Sequence, residues 1–96
     1  MELTGKQKRT LRALGHHLRP SAIIGKQGVA DSVVEQVQGN LLARELIKVK
    51  VLKTCPLEPE AVARELTGRT GAALAQSLGR TLLLYRPHPE RPVIEL

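Results

Sequence analysis

The segment ELIKVKVLK, residues 45–53, constrains the fold more than any other part of the chain. Its aliphatic residues alternate with Lys48 and Lys50, which is the pattern of a half-buried strand with one aliphatic and one cationic face. The aliphatic face must pack against other elements, so the segment predicts a sheet with helices packed on it.

Helical and strand patterns alternate along the rest of the chain. The predicted elements are a helix from the capping box of Thr4 and Gln7 to Pro20, a strand Ser21–Ile24, a helix from about Ala30 to Leu42, the strand at 45–53, a helix from Pro59 to a stop at Gly68, and a hairpin with a type II′ turn at Gly79-Arg80. This order, α-β-α-β-α-β-β, predicts a single compact α/β domain over residues 1–96, with a small four-stranded mixed sheet. The proline-rich segment 87–96 is predicted to be an extended tail.

The first helix has an apolar stripe and a basic arc. Leu11, Leu14 and Leu18 have helical spacing and form the predicted core stripe. An adjoining arc collects the cationic side chains of Lys8, Arg9, Arg12, His16 and Arg19. In the second helix, Val29 and Val34 fit a hydrophobic staple, although Ala30 is a poor cap and Gly39 is unfavourable inside a helix.

Composition favours a polyanionic partner. Apolar residues make up 42% of the 96 residues, and aliphatic side chains must fill the core because there is no Phe or Trp and only one Tyr. The net charge of +6 favours nucleic acid or an anionic membrane surface over neutral partners, although a solvated basic face would also account for it. The single cysteine, Cys55, excludes an intrachain disulfide and a Cys-based zinc site. The absence of a membrane-spanning run or a signal peptide leads us to expect a cytoplasmic protein.

Two glycines frame the passage from the first strand to the second helix. In Gly25-Lys26-Gln27-Gly28, backbone N–H groups at a helix N-terminus can point at an anion, and the missing side chains let a phosphate approach. Lys26 adds a positive charge. KH-type loops clamp a nucleic-acid backbone in this way. The alternative is that the glycines only turn the chain. The segment matches neither a Walker loop nor a dinucleotide fingerprint.

Catalytic and metal sites are not predicted. Adjacent histidines on a helix, as at His16 and His17, point about 100° apart and cannot easily share one ion with His88. None of the three serines has a convincing His and acid arrangement. We therefore expect neither an enzyme, nor a metal site, nor a cofactor.

The sequence does not decide the roles of four further residues. Lys48 and Lys50 either face RNA or line the solvated side of their strand. Arg80 either contacts phosphate or serves the turn. Tyr85 is either a stacking group or part of the core.

Three segments of the chain resemble a known family. The segments LTGKQKRTLRALGHHLRPSAIIGKQGVADSVVEQV, RELIKVKVL and GRTLLLYRP look like the YhbY-like RNA-binding domain, also called the chloroplast RNA splicing and ribosome maturation (CRM) domain. The resemblance covers nearly the whole chain. It implies a fold similar to the C-terminal domain of translation initiation factor 3. Stand-alone bacterial members associate with precursors of the large ribosomal subunit, and plant members assist intron splicing; without extensions, this chain resembles the bacterial form.

The resemblance also implies which residues bind RNA. The family's G-x-x-G loop falls on Gly25, Lys26, Gln27 and Gly28, and its basic first helix falls on Lys8, Arg9, Arg12 and Arg19. Its closing L-Y-R falls on Leu84, Tyr85 and Arg86, of which Arg86 is the expected RNA contact. The chain departs from the family at Ala30, which often is a Thr or Ser cap, and at Gly39-Asn40.

The sequence therefore leaves two main functions as alternatives. The first is a monomeric, non-catalytic RNA-binding domain that assists large-subunit ribosome assembly and recognises backbone and shape more than base sequence. The alternative is a protein-interaction module that docks on a ribosomal protein or assembly factor through the hairpin or the VIEL tail. DNA binding is a weaker third possibility.

Overall fold

The computed structural model, which describes all 96 residues, has the predicted order of helices and strands. The elements are α1 (Gly5–Gly15), β1 (Pro20–Ile24), α2 (Asp31–Arg44), β2 (Leu46–Val51), α3 (Pro59–Thr70), β3 (Ala73–Leu78) and β4 (Thr81–Tyr85). The four strands form one sheet in the order β1-β2-β4-β3. The β1–β2 pair is parallel and the other two pairs are antiparallel, which confirms the predicted mixed sheet.

The sheet has a core on each of its faces. The larger core lies under α2 and α3 and contains Ile47, Val49 and Val51 of β2. The smaller core lies under α1, where Leu11 packs with Leu46 and with residues of β3 and β4. Because side chains alternate along a strand, Lys48 and Lys50 share the α1 face with Leu46. The cationic face of β2 is therefore the face that α1 partly covers.

The start of α1 is as predicted, but its core stripe is not. Thr4 Oγ1 accepts a hydrogen bond from the Gln7 backbone N–H at 3.1 Å, and Gln7 Oε1 accepts one from Thr4 N–H at 3.0 Å, which confirms the capping box. The helix ends at Gly15, so its predicted end at Pro20 was wrong. Leu14 is 51% exposed, so its assignment to the core was wrong as well. Gly15 provides the reason.

Gly15 brings the backbone of α1 against β4. A Cβ atom at this position would lie 2.7 Å from Leu83 Cδ1. The contact line of α1 therefore runs from Leu11 to Gly15, one turn apart, and Leu14 is rotated about 100° away from it. Leu18, beyond the helix, is half-buried against the same core.

The other two helices extend beyond their predicted C-terminal ends, and α2 ends at Arg44 instead of about Leu42. Helix α2 follows Ala30, which makes no side-chain capping bond, as its residue type predicted. Helix α3 begins at Pro59 as predicted but passes through Gly68, so the predicted stop there was wrong. It ends at Gly71, whose φ of 75° provides the left-handed C-cap. In the hairpin turn, Gly79 has a positive φ and Arg80 does not, as a type II′ turn requires.

Residues 87–96 contain neither helix nor strand, and they are attached to the domain at Glu45. This residue follows α2, has a φ of 67° and is buried. Its carboxylate accepts hydrogen bonds from the backbone N–H groups of His88 at 2.7 Å and of Val93 and Ile94 at 2.9 Å. The proline-rich composition predicted an extended segment, but it did not predict this attachment.

The same carboxylate carries a shifted pKa. Burial by itself would raise the pKa of Glu45, but the three backbone donors and nearby His88 outweigh it and lower the pKa below its ordinary value. A lowered folded-state pKa stabilises the fold above the unfolded-state pKa, and this contribution disappears as the pH falls through the folded-state value.

We predict that Glu45→Gln lowers the free energy of unfolding at pH 7 by about 1–3 kcal/mol, because three backbone N–H groups lose a charged acceptor. Urea unfolding at pH 7, 5 and 3.5 measures it, with the exposed Glu95→Gln as the matched control. The deficit of Glu45→Gln should shrink toward the acid end, where the wild-type carboxyl is protonated as well. A deficit that is equal at all three pH values would contradict this role of the charge.

Candidate nucleic-acid interface

The segment Gly25–Gly28 is a closed turn between β1 and α2. The Gly28 N–H donates to the Gly25 carbonyl oxygen at 3.0 Å, which leaves Lys26 and Gln27 exposed at the tip. Gly28 has a φ of 64°, in the left-handed region. The turn therefore presents one lysine and one glutamine, together with their backbone, to the solvent.

Several backbone donors at this turn have no acceptor in the protein. Within the loop, only the N–H of Gly28 bonds to another backbone group. Helix α2 has no side-chain cap, and the first N–H groups of a helix have no partner within it. The N–H groups of Lys26 and Gln27, and those of Asp31 and Ser32 at the start of α2, are therefore available to an anion.

An acidic side chain already occupies the first turn of α2. Asp31 accepts a hydrogen bond from Arg69 Nη2, and Arg69 Nη1 donates to the Val29 carbonyl oxygen at 3.2 Å. Arg69 thereby neutralises Asp31 and joins α3 to the end of the loop. Because Asp31 reduces the positive end of the helix dipole, the loop N–H groups and lysines must contribute most of the attraction for an anion.

The two glycines of the loop have different structural roles. Gly28 adopts a conformation that L-residues with a side chain rarely adopt. Gly25 does not have a positive φ, and a Cβ atom there would lie 3.5 Å from Leu52 Cδ1 and 3.6 Å from Thr54 Oγ1, which are ordinary contacts. The fold thus requires glycine at position 28 but not at position 25.

Lys53, which the sequence analysis did not include, lies beside this loop. The N–H of Leu52 donates to the Ile24 carbonyl oxygen at 2.8 Å, so the segment after β2 runs along the loop after β1. Lys53 is exposed in that segment. The missing information was the parallel pairing of β1 and β2. It places the residues that follow the two strands side by side, at the carboxyl ends of those strands.

Arg80 adds a cation near the carboxyl end of β2. Its Nε donates to the Val51 carbonyl oxygen at 2.8 Å and its Nη2 to that of Leu52 at 2.9 Å. The side chain is half-buried, so Arg80 holds the hairpin turn against the end of β2. Its charge remains close to the loop, but two of its N–H donors are already in use.

A second basic group lies where α1 leads into β1. Lys48 Nζ donates to the His16 carbonyl oxygen at 3.4 Å. Pro20 is opposite Lys48 in the sheet, which places the exposed Arg19 next to this contact. Lys50 is exposed and lies two residues further along β2 toward the loop. The lysines of β2 therefore connect the end of α1 with the loop.

The basic residues of α1 are exposed, but the structure does not bring all of them to the loop. Lys8, Arg9 and Arg12 project into solvent from α1. Lys8 lines a depression with the first residues of the chain and with Ala73 and Leu74 of β3. Because β3 and β1 are opposite edges of the sheet, Lys8 is separated from the loop by the width of the sheet, about 14 Å.

Arg86 and Tyr85 face the interior of the protein. Arg86 Nη1 donates to Gln38 Oε1 at 2.8 Å and to the Thr70 carbonyl oxygen at 2.6 Å, so its guanidinium joins α2 to the end of α3. Tyr85 is buried in the smaller core. Burial and the charge of Glu45 raise the pKa of its phenol. Tyr85 is thus a core residue and not an exposed stacking group.

The sequence of nearly the whole chain is similar to those of known proteins. The model of the CRS1 / YhbY (CRM) domain matches residues 3–86. The chain belongs to this family. The Bacillus subtilis (strain 168) "Probable RNA-binding protein YqeI" is 46% identical to this CRM protein over 94 residues, 98% of each chain. A Haemophilus influenzae "RNA-binding protein" is 35% identical over 91 residues, which are 95% of this chain and 92% of that one.

A solved structure confirms the fold of this CRM protein. The solution structure of the hypothetical protein SAV1595 from Staphylococcus aureus matches with a TM-score of 0.83 at 40% sequence identity. The match covers 99% of each chain. The α/β architecture with three helices and a four-stranded mixed sheet is therefore that of the family.

The structure contains neither a membrane-spanning helix nor a cluster of metal-ligating side chains. No helix has the length and apolarity needed to cross a membrane. No group of three or more His, Cys, Asp or Glu side chains could hold a metal ion.

The different roles of the two glycines lead to a stability prediction. Gly28→Ala should lower the free energy of unfolding by about 1–2 kcal/mol, because a side chain is strained at a positive φ. Gly25→Ala should leave it unchanged or raise it by up to about 1 kcal/mol, because alanine fits and restricts the unfolded chain. Urea unfolding of both variants tests this. Equal losses in the two would show that both glycines serve the turn.

Proposed function

We propose that this CRM protein is a non-catalytic RNA-binding domain that holds the RNA backbone at the Gly25–Gly28 loop. The observation that carries the proposal is the set of unbonded loop N–H groups next to Lys26 and Lys53, at a turn whose first glycine the fold does not require. The relatives named as RNA-binding proteins, and the family itself, support RNA as the partner.

The loop acts on a phosphate in three ways. The N–H groups of Lys26 and Gln27 donate hydrogen bonds to its oxygens, and the missing side chain of Gly25 leaves room for it. The ammonium groups of Lys26 and Lys53 neutralise its charge. Hydrogen bonds to a charged oxygen are about twice as strong as those between neutral groups, which suits a site built mainly from backbone donors.

The remaining cations extend this contact in two directions. Arg19 continues it from the loop along β1 and β2 toward the end of α1, and Arg9 and Arg12 contact further phosphates from the helix surface. Lys8 reaches a separate part of the RNA, because it lies toward the β3 edge. Arg86 acts indirectly: its guanidinium fixes α2 against α3, and α2 positions the loop.

Recognition depends on the backbone and on the shape of the RNA. The single tyrosine is buried and the chain has no Phe or Trp, so no exposed Phe, Tyr or Trp forms a platform on which several bases could stack. Phosphate contacts position a protein on nucleic acid but carry no direct sequence information. A structured RNA that offers its backbone at a defined geometry is the ligand that suits this surface.

The proposed partner is the ribosomal RNA of the large-subunit precursor, bound by a monomer in the cytoplasm during ribosome assembly. This step follows the resemblance to stand-alone bacterial members of the family. The alternative, a protein-docking module that uses the VIEL tail, has less support, because Glu45 holds the tail N–H groups that would pair with a partner's strand.

We predict that binding to structured ribosomal RNA weakens steeply with salt. If the protein neutralises about four to six phosphates, the logarithm of the association constant should fall with the logarithm of salt concentration at a slope of about −3 to −5. The double variant Lys26→Glu with Arg12→Glu should bind at least about tenfold more weakly, with a slope shallower by about 2.

The matched control is Arg64→Glu. Arg64 is exposed on α3 and lies beside β3, at the sheet edge opposite the loop. It should keep near wild-type affinity, and circular dichroism should show all variants folded. A wild-type affinity that does not depend on salt would contradict the proposal, as would equal losses in the double variant and the control.

A cell-based measurement tests the ribosomal partner separately. The wild-type chain should co-sediment with large-subunit precursors in a sucrose gradient, and the Lys26→Glu, Arg12→Glu variant should not. If the variant co-sediments while it no longer binds isolated RNA, association runs through a protein and the alternative function gains support.

A further inference from the structure

One row of residues crosses the sheet on the α1 face without being covered by α1. The strand register aligns Ile23 with Lys50, Lys50 with Thr81, and Thr81 with Leu78, so that each strand contributes one residue. Residues aligned in this way point to the same face. We call Ile23, Lys50, Thr81 and Leu78 the open row.

The open row is exposed although its neighbours are buried. Leu46 and Leu83, which belong to the two preceding rows, pack under Leu11 of α1. In the open row, Ile23 is 57% exposed, Leu78 is 69% exposed and Lys50 is exposed, whereas Thr81 is half-buried. Three inter-strand spacings give the row a length of about 14 Å. Two aliphatic side chains thus lie at its ends, with a cation between them.

The open row is continuous with the phosphate-binding loop. Gly25 follows Ile23 by two residues, and Lys53 follows Lys50 by three. The row contains no carboxylate, so its charge suits the same polyanion as the loop. Lysine is depleted in protein–protein interfaces, which makes a protein a poorer match for a row with Lys50 at its centre.

We infer that the open row binds an unpaired stretch of the RNA whose backbone is held by the Gly25–Gly28 loop; this inference rests on the proposed function. One base lies over Ile23 and a base further along the strand lies over Leu78, while Lys50 contacts a phosphate between them. Thr81 supplies a hydroxyl to a base edge or to a ribose. Paired RNA cannot use the row in this way, because its bases are stacked within the helix.

The test compares unpaired and paired RNA. We would measure, by fluorescence anisotropy, the affinity for an oligouridylate of about ten nucleotides and for an RNA duplex of similar length. The variants are Ile23→Thr with Leu78→Thr, which keep residues that suit strands, and Lys50→Gln. The matched control is Val93→Thr, because Val93 is even more exposed than Ile23 and Leu78 but belongs to the tail at Glu45.

The double threonine variant should lose about tenfold in affinity for the oligouridylate, at an unchanged salt slope, because base contacts with side chains do not involve counterions. Its affinity for the duplex should stay within about twofold. Lys50→Gln should weaken oligouridylate binding and make the salt slope shallower by about 0.7, as the loss of one phosphate contact to a single strand requires.

Two results would overturn the inference, and they have different consequences for the proposed function. If the double threonine variant binds the oligouridylate like wild type while Lys26→Glu does not, the open row has no role but the loop remains a phosphate site. If Lys26→Glu also binds like wild type, or if the wild-type chain binds neither RNA, the proposed function itself fails.

A third result would overturn it in favour of a protein ligand. In that case the double threonine variant would bind both RNAs like wild type but would no longer co-sediment with ribosomal precursors.

Discussion

The parallel pairing of β1 with β2 is the constraint on which the candidate site depends. Parallel strands need a crossover connection, and here α2 provides it. The pairing fixes the start of α2 directly after the Gly25–Gly28 loop and brings the segment after β2 alongside that loop. The pairing thereby brings together unbonded backbone donors and two lysines that are distant in sequence, Lys26 and Lys53. They lie at the carboxyl ends of the two strands.

The rest of the candidate surface exists because helices cover the two faces of the sheet unequally. Helices α2 and α3 bury the larger core, whereas α1 alone covers the other face and leaves its last row open. Because Gly15 has no side chain, the backbone of α1 packs directly against Leu83 of β4 and covers the smaller core. Arg86 joins α2 to the end of α3, and Glu45, directly after α2, binds the C-terminal tail. The proposed RNA surface is thus supported by interactions that lie outside it.

Much of the fold was predictable because local signals agreed with it. The alternation in β2, the capping box at Thr4 and the turn at Gly79 each act over a few residues, and the structure has all three. Leu14 and Gly68 were misassigned because tertiary packing overrides periodicity. The backbone approach at Gly15 turns Leu14 outward, and a later glycine ends α3.

The candidate site was only partly predictable for a related reason. The loop is contiguous in sequence, so its glycines and Lys26 could be recognised directly. Lys53 required knowledge of the strand pairing, and the open row required the register of all four strands. The internal bonds of Arg86 depend on the packing of α2 and α3, which no sequence pattern in this chain specifies.

The measurement that tests the account most directly is the affinity of Gly25→Ala for structured ribosomal RNA, together with its stability. Gly25 contributes no side chain, and the fold accommodates alanine there, so the substitution changes mainly the space above the loop. We predict a stable protein whose RNA affinity falls by about tenfold, because the methyl group holds the phosphate away from the N–H donors. A stable Gly25→Ala protein with wild-type affinity would contradict the claim that the glycines frame a phosphate site.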